Sequence, residues 1–331
     1  MKTGHVLILS EPSSVRLFRE IEEALRQHVT QVTHLKHGDE LDPTSELWRS
    51  VDILLAYGGF SCTRELMSAA PSLRAIVSPW TGTEGFDETA ATELGIVVAN
   101  GQAEENTFSM AEASVMLMLA CLYSLHETEE VLRKNKVRPP YPIAHMLRGR
   151  RVGLVGFGSI GRQVARLLEP WRVEIVAYNR SAITDANVRA VDLPTLLSTS
   201  DIISLHIGLS PATYHLLNAE NLKLVRPGAI LVNTSRGGVI DEMALYEQVR
   251  DGRFAKIALD VYEQEPLSAL SPLRALPNTI LTPHMAGHTQ EARVALVALA
   301  TQNIVQILEG EPPICFRNPE VTARWRARWN F

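Results

Sequence analysis

The segment Gly156-Phe-Gly158-Ser-Ile-Gly161 fits G-x-G-x-x-G. That spacing suits a dinucleotide. The first glycine makes a tight turn, the second lets backbone approach a pyrophosphate, and the third allows close helix–strand packing. Alone the pattern is a weak signal, but Val152–Val155 reads as a strand before it and Ser159–Leu168 as a helix opening inside it. The unpaired N–H groups of that helix then face the phosphates. Arg162-Gln163 follows Gly161, so the Lys-Ser/Thr of a nucleoside-triphosphate loop is missing. Further on stand Arg236 in Asn-Thr-Ser-Arg-Gly-Gly, Asp260 in Leu-Asp-Val-Tyr, then Glu265, and His284 in Thr-Pro-His. Each has a plain structural explanation: a turn for Arg236, a strand end for Asp260, a surface loop for Glu265-Pro266, a hydrogen-bonded structural imidazole for His284. Together, behind a dinucleotide motif, they supply a guanidinium, a carboxylate and an imidazole, the set needed to reduce an α-keto acid. Arginine offers a planar fork that matches a carboxylate. Imidazole titrates near neutrality and can give or take the alcohol proton.

These residues need elements that bring them together. The second half alternates short β-rich runs with helical patterns: Val152–Val155, Val173–Tyr178, Ile202–His206, Ala229–Val232, Lys256–Leu259 and Thr279–Leu281 as strands. Helices over Ser159–Leu168, Leu193–Ser198 and Asp241–Arg250 separate some of them, which predicts parallel strands with crossovers. In such a sheet the carboxyl ends of the strands line the ligand crevice, so polar residues far apart in sequence converge there. The first hundred residues repeat the rhythm. His5–Leu9, Val51–Ala56, Leu73–Val77 and Ile96–Ala99 read as strands, and Ser13–Gln27, Thr63–Ala70 and Asp87–Glu93 as helices. The fold class is therefore α/β, with two doubly wound parallel-sheet lobes. One long helix is expected from about Glu104 to Lys136, broken by the loop Asn135–Pro142.

The end of the second strand in a dinucleotide unit reads the adenosine ribose, and here it carries Asn179, Arg180 and Ser181. A carboxylate there would accept from a free 2′-hydroxyl and repel a 2′-phosphate. Asn179 removes the repulsion while Arg180 and Ser181 offer donors. NADP(H) is favoured; NAD(H) stays possible if Arg180 is only a solvated charge.

Composition bounds the rest. The 331 residues suffice for two domains and need no disulfide or structural metal. With 32 basic against 37 acidic side chains, a nucleic-acid surface is not expected. Cys62, Cys121 and Cys315 form no CxxC pair, which points to a reducing cytoplasm. The run His5–Leu9 is too short for a signal peptide, and Ala113–Tyr123 is about half a bilayer span, so no membrane partner is expected. No G-x-S-x-G elbow or H-E-x-x-H metal motif occurs. The tail Thr322–Phe331, with Arg324, Arg326 and Arg328 between Trp325 and Trp329, reads as a packed or frayed terminus.

The motifs Val155–Gly161, Leu205–Pro211, Leu231–Gly238, Ala258–Pro266 and Leu281–Ala292 stand in the order and spacing of a known family. The chain resembles the D-isomer-specific 2-hydroxyacid dehydrogenases from about Val51 to Pro313. The resemblance implies a Rossmann cofactor domain over 105–287, inserted in a flavodoxin-like substrate domain made of 1–104 and 288–331. Arg236 would clamp the substrate carboxylate, His284 would be the general acid in reduction, and Glu265 would hold His284 and raise its pKa. Asp260 would face the nicotinamide amide. Gly156, Gly158, Ser159, Ile160, Gly161, His206 and Thr234 would join Asn179, Arg180, Ser181 and His284 on the cofactor side. Trp80, Thr81 and Gly82 would offer backbone N–H groups to the substrate carboxylate, beside Arg236. A homodimer built on the Glu104–Lys136 helix is also implied, although from the residues alone that helix is as easily plain core.

Departures concern the substrate. Trp80 stands where many members have glycine, either as core or as a pocket wall. Asn100–Glu112 follows a subgroup pattern that keeps Asn106 and Ala111-Glu112, and Gly208 replaces a usual proline. Glyoxylate or hydroxypyruvate is the expected substrate. The alternatives are a phosphoglycerate dehydrogenase, with Arg293 as a candidate phosphate partner, and a non-catalytic dinucleotide-sensing regulator.

Overall fold

The computed structural model describes residues 2–35, 41–141 and 143–330. Pro142 of the predicted loop and Phe331 of the tail lie outside the described residues. The chain divides into two compact units, 1–106 with 289–331, and 107–288.

In the first unit the strands are β1 (Lys2–Leu9), β2 (Val29–Leu35), β3 (Ile53–Ala56), β4 (Ala75–Val77) and β5 (Val97–Ala99). They lie in the order β2-β1-β3-β4-β5, all parallel. Alternate residues divide between two faces. Ile8, Leu55 and Val77 pack under the helices Val15–Leu25 and Gln290–Glu309, through Phe18, Ile21, Leu296 and Ile304. Leu7, Leu54 and Ile76 pack with Trp48, Met67 and Ala90 on the other side. Burial on both faces is why β3 and β4 read as unbroken apolar runs. Strand β2 escapes the sequence reading because it is an edge strand whose Thr, Gln and His residues are only partly covered.

In the second unit follow β6 (Arg151–Val155), β7 (Glu174–Tyr178), β8 (Val188–Ala190), β9 (Ile202–Leu205), β10 (Ala229–Asn233), β11 (Phe254–Leu259) and β12 (Thr279–Leu281). Their order is β12-β11-β10-β9-β6-β7-β8, again all parallel. The chain reverses direction across the sheet between β6 and β9. That switch point is where open α/β sheets take ligands.

The long helix is a correction. Two helices, Glu104–Leu122 and Leu125–Arg133, meet at a bend of 58°. Ser124 adopts a left-handed φ of 50°, and the Leu122 carbonyl accepts from His145 N–H at 2.9 Å. The chain's return past the helix end takes the carbonyl that a continuous helix would use internally. The first helix buries Ala111, Leu117, Met118 and Cys121, whereas the second buries no residue. Among the described residues no single helix is long and apolar enough to cross a membrane.

The basic–aromatic tail packs. Residues Thr322–Trp329 form a helix whose Trp325 is fully buried. Arg324 donates to the Glu93 carbonyl at 2.6 Å, and Arg328 to those of Leu94 and Pro71. Their guanidinium groups thereby cap the end of the helix Glu88–Leu94, whose last carbonyls lack helical partners.

Candidate active site

The glycine motif sits at the carboxyl end of β6. Gly156 has φ +97°, and a Cβ there would lie 2.3 Å from the His206 carbonyl oxygen, so only glycine fits the turn. Gly158 precedes the helix Ser159–Leu168, and a Cβ on it would meet nothing within 4 Å. The helix start carries no side-chain cap, so its first N–H groups stay available for phosphate oxygens. His206, at the end of neighbouring β9, has a buried Nε2 without a hydrogen-bond partner. Burial pushes its pKa down to about 4, leaving a neutral imidazole. An open backbone cradle beside an orphaned buried nitrogen fits a dinucleotide.

At the end of β7, Asn179 is already engaged. Its Oδ1 accepts from Phe157 N–H at 3.2 Å, and its Nδ2 donates to the Ser181 carbonyl at 3.0 Å. The side chain thus ties the glycine loop to the next one. Arg180 and Ser181 are exposed.

The turn after β10 holds Arg236. Asn233 Oδ1 accepts from Ser235 N and Oγ at 3.0 and 2.8 Å, and its Nδ2 donates to the Arg236 carbonyl at 3.0 Å. Gly237 follows directly against the backbone of Tyr262, where a Cβ would lie 1.8 Å from the Tyr262 carbonyl carbon. Thr234 is buried, its hydroxyl 2.9 Å from that of Ser114.

Glu265 and His284 meet at 2.6 Å through Oε2 and Nδ1. The other carboxylate oxygen accepts from Tyr262 N–H at 3.0 Å. Burial alone would raise the Glu265 carboxyl. The His284 hydrogen bond and charge, the Tyr262 N–H and the Arg236 charge outweigh it and hold it below the ordinary carboxylate value. Conversely the Glu265 hydrogen bond, helped by its charge, raises His284 above the ordinary imidazole value against burial and the Arg236 charge. Arg236 therefore acts electrostatically on both members of the pair.

Asp260 lies at the end of β11 and is 1% exposed. Its Oδ1 accepts from Thr282 Oγ1, Met285 N and Ala286 N at 2.7, 2.9 and 3.1 Å, and its Oδ2 from Ala286 N at 3.2 Å. Its carboxylate thus builds the His284 loop, a duty the sequence reading did not foresee. His284 has φ +55°, a conformation costly for a residue other than glycine, and the latched loop sustains it.

His288 was also missed. Its ring lies 6.3 Å from that of His284. Burial, then the His284 charge, lowers its pKa below the ordinary imidazole value. A single histidine four residues on carries no sequence signal for this.

In the first unit, the loop after β4 carries Trp80, Thr81 and Gly82. Trp80 is half-buried and packs against the core face that holds Ile8 and Leu55. Thr81 is fixed by three contacts: its carbonyl accepts from Asn100 Nδ2 at 2.8 Å, and its hydroxyl accepts from Asn106 Nδ2 at 3.2 Å and donates to the Gly101 carbonyl at 3.3 Å. Arg293 is committed to Glu20 and, at 3.0 and 3.2 Å, to Gln290 Oε1.

The family model for the D-isomer specific 2-hydroxyacid dehydrogenase NAD binding domain matches residues 115–286. The chain is 37% identical over 282 residues to a glyoxylate reductase of Thermofilum pendens, covering 82% of this chain and 83% of that one. It is 34% identical over 252 residues to a D-3-phosphoglycerate dehydrogenase of Archaeoglobus fulgidus, covering 75% of this chain and only 48% of that protein. Among solved structures, an NADPH-dependent glyoxylate/hydroxypyruvate reductase from Sinorhizobium meliloti, in complex with NADP and malonate, superposes with a TM-score of 0.85. Identity is 26%, and the match covers 96% of this chain and 98% of the other.

Proposed function

The chain belongs to the D-isomer-specific 2-hydroxyacid dehydrogenase family, and on that premise we propose that it reduces a small 2-keto acid, glyoxylate or hydroxypyruvate, to the D-2-hydroxy acid. The observation that carries this reading is the 2.6 Å Glu265–His284 contact, with the Arg236 charge acting on both groups. Residues 107–288 are the cofactor unit, and residues 1–106 with 289–331 the substrate unit.

A nicotinamide cofactor, when bound, supplies or takes the hydride, and the protein supplies orientation and charge. The cradle at Gly156, Gly158, Ser159, Ile160 and Gly161 binds its phosphates, with His206 and Thr234 alongside. Arg236 holds the substrate carboxylate in its fork and polarises the keto oxygen. His284 has Nδ1 committed to Glu265, so Nε2 holds the proton that the keto oxygen takes as it becomes a hydroxyl. Glu265 stays ionised and keeps His284 charged until that transfer. Trp80, Thr81 and Gly82 present the substrate loop, with Trp80 restricting the side chain accepted. Asp260 holds the His284 loop and thereby limits what it can offer the nicotinamide amide.

NADP(H) is the preferred cofactor. The neutral Asn179 and the exposed Arg180, which makes no ion pair among the described residues, support that preference. The Sinorhizobium meliloti relative is NADPH-dependent. A phosphorylated substrate is less well supported. Arg293, the candidate phosphate partner, is already bound to Glu20 and Gln290.

The functional form is a homodimer. More than half of the exposed large apolar side chains fall within residues 108–146, among them Met116, Tyr123, Leu132, Val137, Tyr141 and Met146. Exposed apolar side chains concentrated in one stretch of chain support a partner surface there. The three cysteines are free, which supports a reducing cytoplasm.

A steady-state assay with NADPH and NADH against a panel of keto acids tests the whole reading. Turnover of glyoxylate or hydroxypyruvate is expected. Cofactor binding without turnover of any keto acid would instead favour a dinucleotide sensor.

A further inference from the structure

Ser10, His34 and Glu22 form a hydrogen-bonded chain in the first unit that the reductase reaction does not use. Ser10 follows the end of β1, His34 lies near the end of β2, and Glu22 projects from the helix Val15–Leu25. Ser10 Oγ is 2.8 Å from His34 Nε2, and His34 Nδ1 is 2.9 Å from Glu22 Oε2. The second Glu22 oxygen accepts from Arg26 at 2.6 Å. The nitrogens are used in the sense that activates a hydroxyl. A carboxylate on Nδ1 fixes the tautomer with its proton there, which leaves Nε2 to accept from the serine. Burial alone would raise the Glu22 carboxyl, but the His34 and Arg26 hydrogen bonds hold it below the ordinary value, so the carboxylate is present to do this.

The surroundings suit a nucleophile. Ser10 is 6% exposed and the His34 and Glu22 side chains 15% each, covered enough to keep the three groups in register yet still reached from solvent. Ser10 and His34 lie at the carboxyl ends of two parallel strands, the edge at which such sheets take ligands. Just beyond Ser10, the Ser14 hydroxyl donates to the Glu11 carbonyl instead of capping the helix Val15–Leu25. The first N–H groups of that eleven-residue helix thus carry no side-chain cap.

We propose that Ser10 is a second nucleophile, activated by His34 and Glu22, that hydrolyses small activated carboxylic esters. In the first step the Ser10 Oγ bonds to the acyl carbon while its proton passes to His34 Nε2. The ester C–O bond breaks, and the alcohol leaves with that proton. In the second step water gives a proton to His34 Nε2 and bonds to the acyl carbon; the acyl C–Oγ bond breaks, Ser10 Oγ takes the proton back from Nε2, and the carboxylic acid leaves.

The test uses p-nitrophenyl acetate and a fluorophosphonate probe on the full chain, with keto-acid reduction measured in parallel. The probe is expected on the Ser10 peptide by mass spectrometry, and the ester is expected to be hydrolysed faster than by the heat-unfolded chain. Ser10→Ala and His34→Gln should each lower hydrolysis by roughly 100-fold, and Glu22→Gln by a smaller factor, because the imidazole remains. Reductase turnover should not change in Ser10→Ala, so the outcome is independent of the reductase assignment. Ester hydrolysis that survives Ser10→Ala, or a probe carried by another residue, overturns the proposal. If Ser10→Ala does not fold, the labelling of the unmodified chain decides alone: an unlabelled Ser10 peptide also overturns it.

Discussion

Glu265 Oε2 lies 2.6 Å from His284 Nδ1 across nineteen residues of chain, and the contact moves the two groups in opposite directions. The carboxyl is held down and the imidazole is raised, so both are charged over a wider pH range than either would be alone.

Reduction needs His284 protonated, so its rate should fall as pH rises through the raised value. Glu265→Gln removes the charge that favours imidazolium, and the basic limb of kcat/KM should move to lower pH. A pH profile of both proteins checks this. An unmoved limb would separate the pair from the proton step.

His284→Asn removes the donor and leaves the cradle at Gly156–Gly161 intact. Turnover should drop by about 10²–10⁴-fold while dinucleotide affinity stays near that of the parent. Fluorescence titration of the reduced cofactor together with steady-state rates reads both quantities.

Arg236→Lys keeps a charge and loses the fork. The loss in transition-state stabilisation should be about 2–4 kcal/mol, seen in kcat/KM for the keto acid. Retention of most of the efficiency would place the carboxylate clamp elsewhere.

Arg180→Ala should weaken NADPH by roughly ten- to a hundredfold and leave NADH almost unchanged, as for a lost hydrogen bond to a charged group. Asn179→Asp keeps an acceptor for Phe157 N–H but loses the donor to the Ser181 carbonyl. It should weaken NADPH and strengthen NADH. Dissociation constants for both cofactors on the three proteins test this. A parent that prefers NADH, with Arg180→Ala silent on both, would overturn the NADP(H) preference.

Asp260→Asn leaves Oδ1 able to take its three donors and sets an NH₂ where Oδ2 met Ala286 N–H. Two donors then face each other in a buried site, which should cost about 1–3 kcal/mol of stability. Denaturant unfolding measures the loss, and a matching fall in kcat with little change in cofactor affinity would tie it to the His284 loop.

The parallel sheets were legible because strands such as Ile-Leu-Leu-Ala at β3 and Ala-Ile-Leu-Val-Asn at β10 are buried on both faces and show it in their composition. Edge position hid β2 and β8, whose outward residues are polar. The bend at Ser124 was not legible, since good helix formers flank it and its cause is a backbone contact from His145, far along the chain. At the site, the residue types were readable, and the family resemblance also implied the Glu265–His284 pair. The loop-building role of Asp260 was not legible, because its hydrogen bonds lead to residues more than twenty positions away. Likewise nothing in sequence joins Ser10 to His34, because β1 and β2 must first pair in parallel.

The two ends of the chain share one core, and this sets an order of events during synthesis. The face of the first sheet that holds Ile8 and Leu55 is completed by Leu296, Ile304 and Trp325. Until those residues have been made, residues 1–106 expose that face, whereas 107–288 already contain a whole sheet and both of its helical layers. Residues 107–288 can therefore mature on the ribosome, while the first unit must wait for its C-terminal helices.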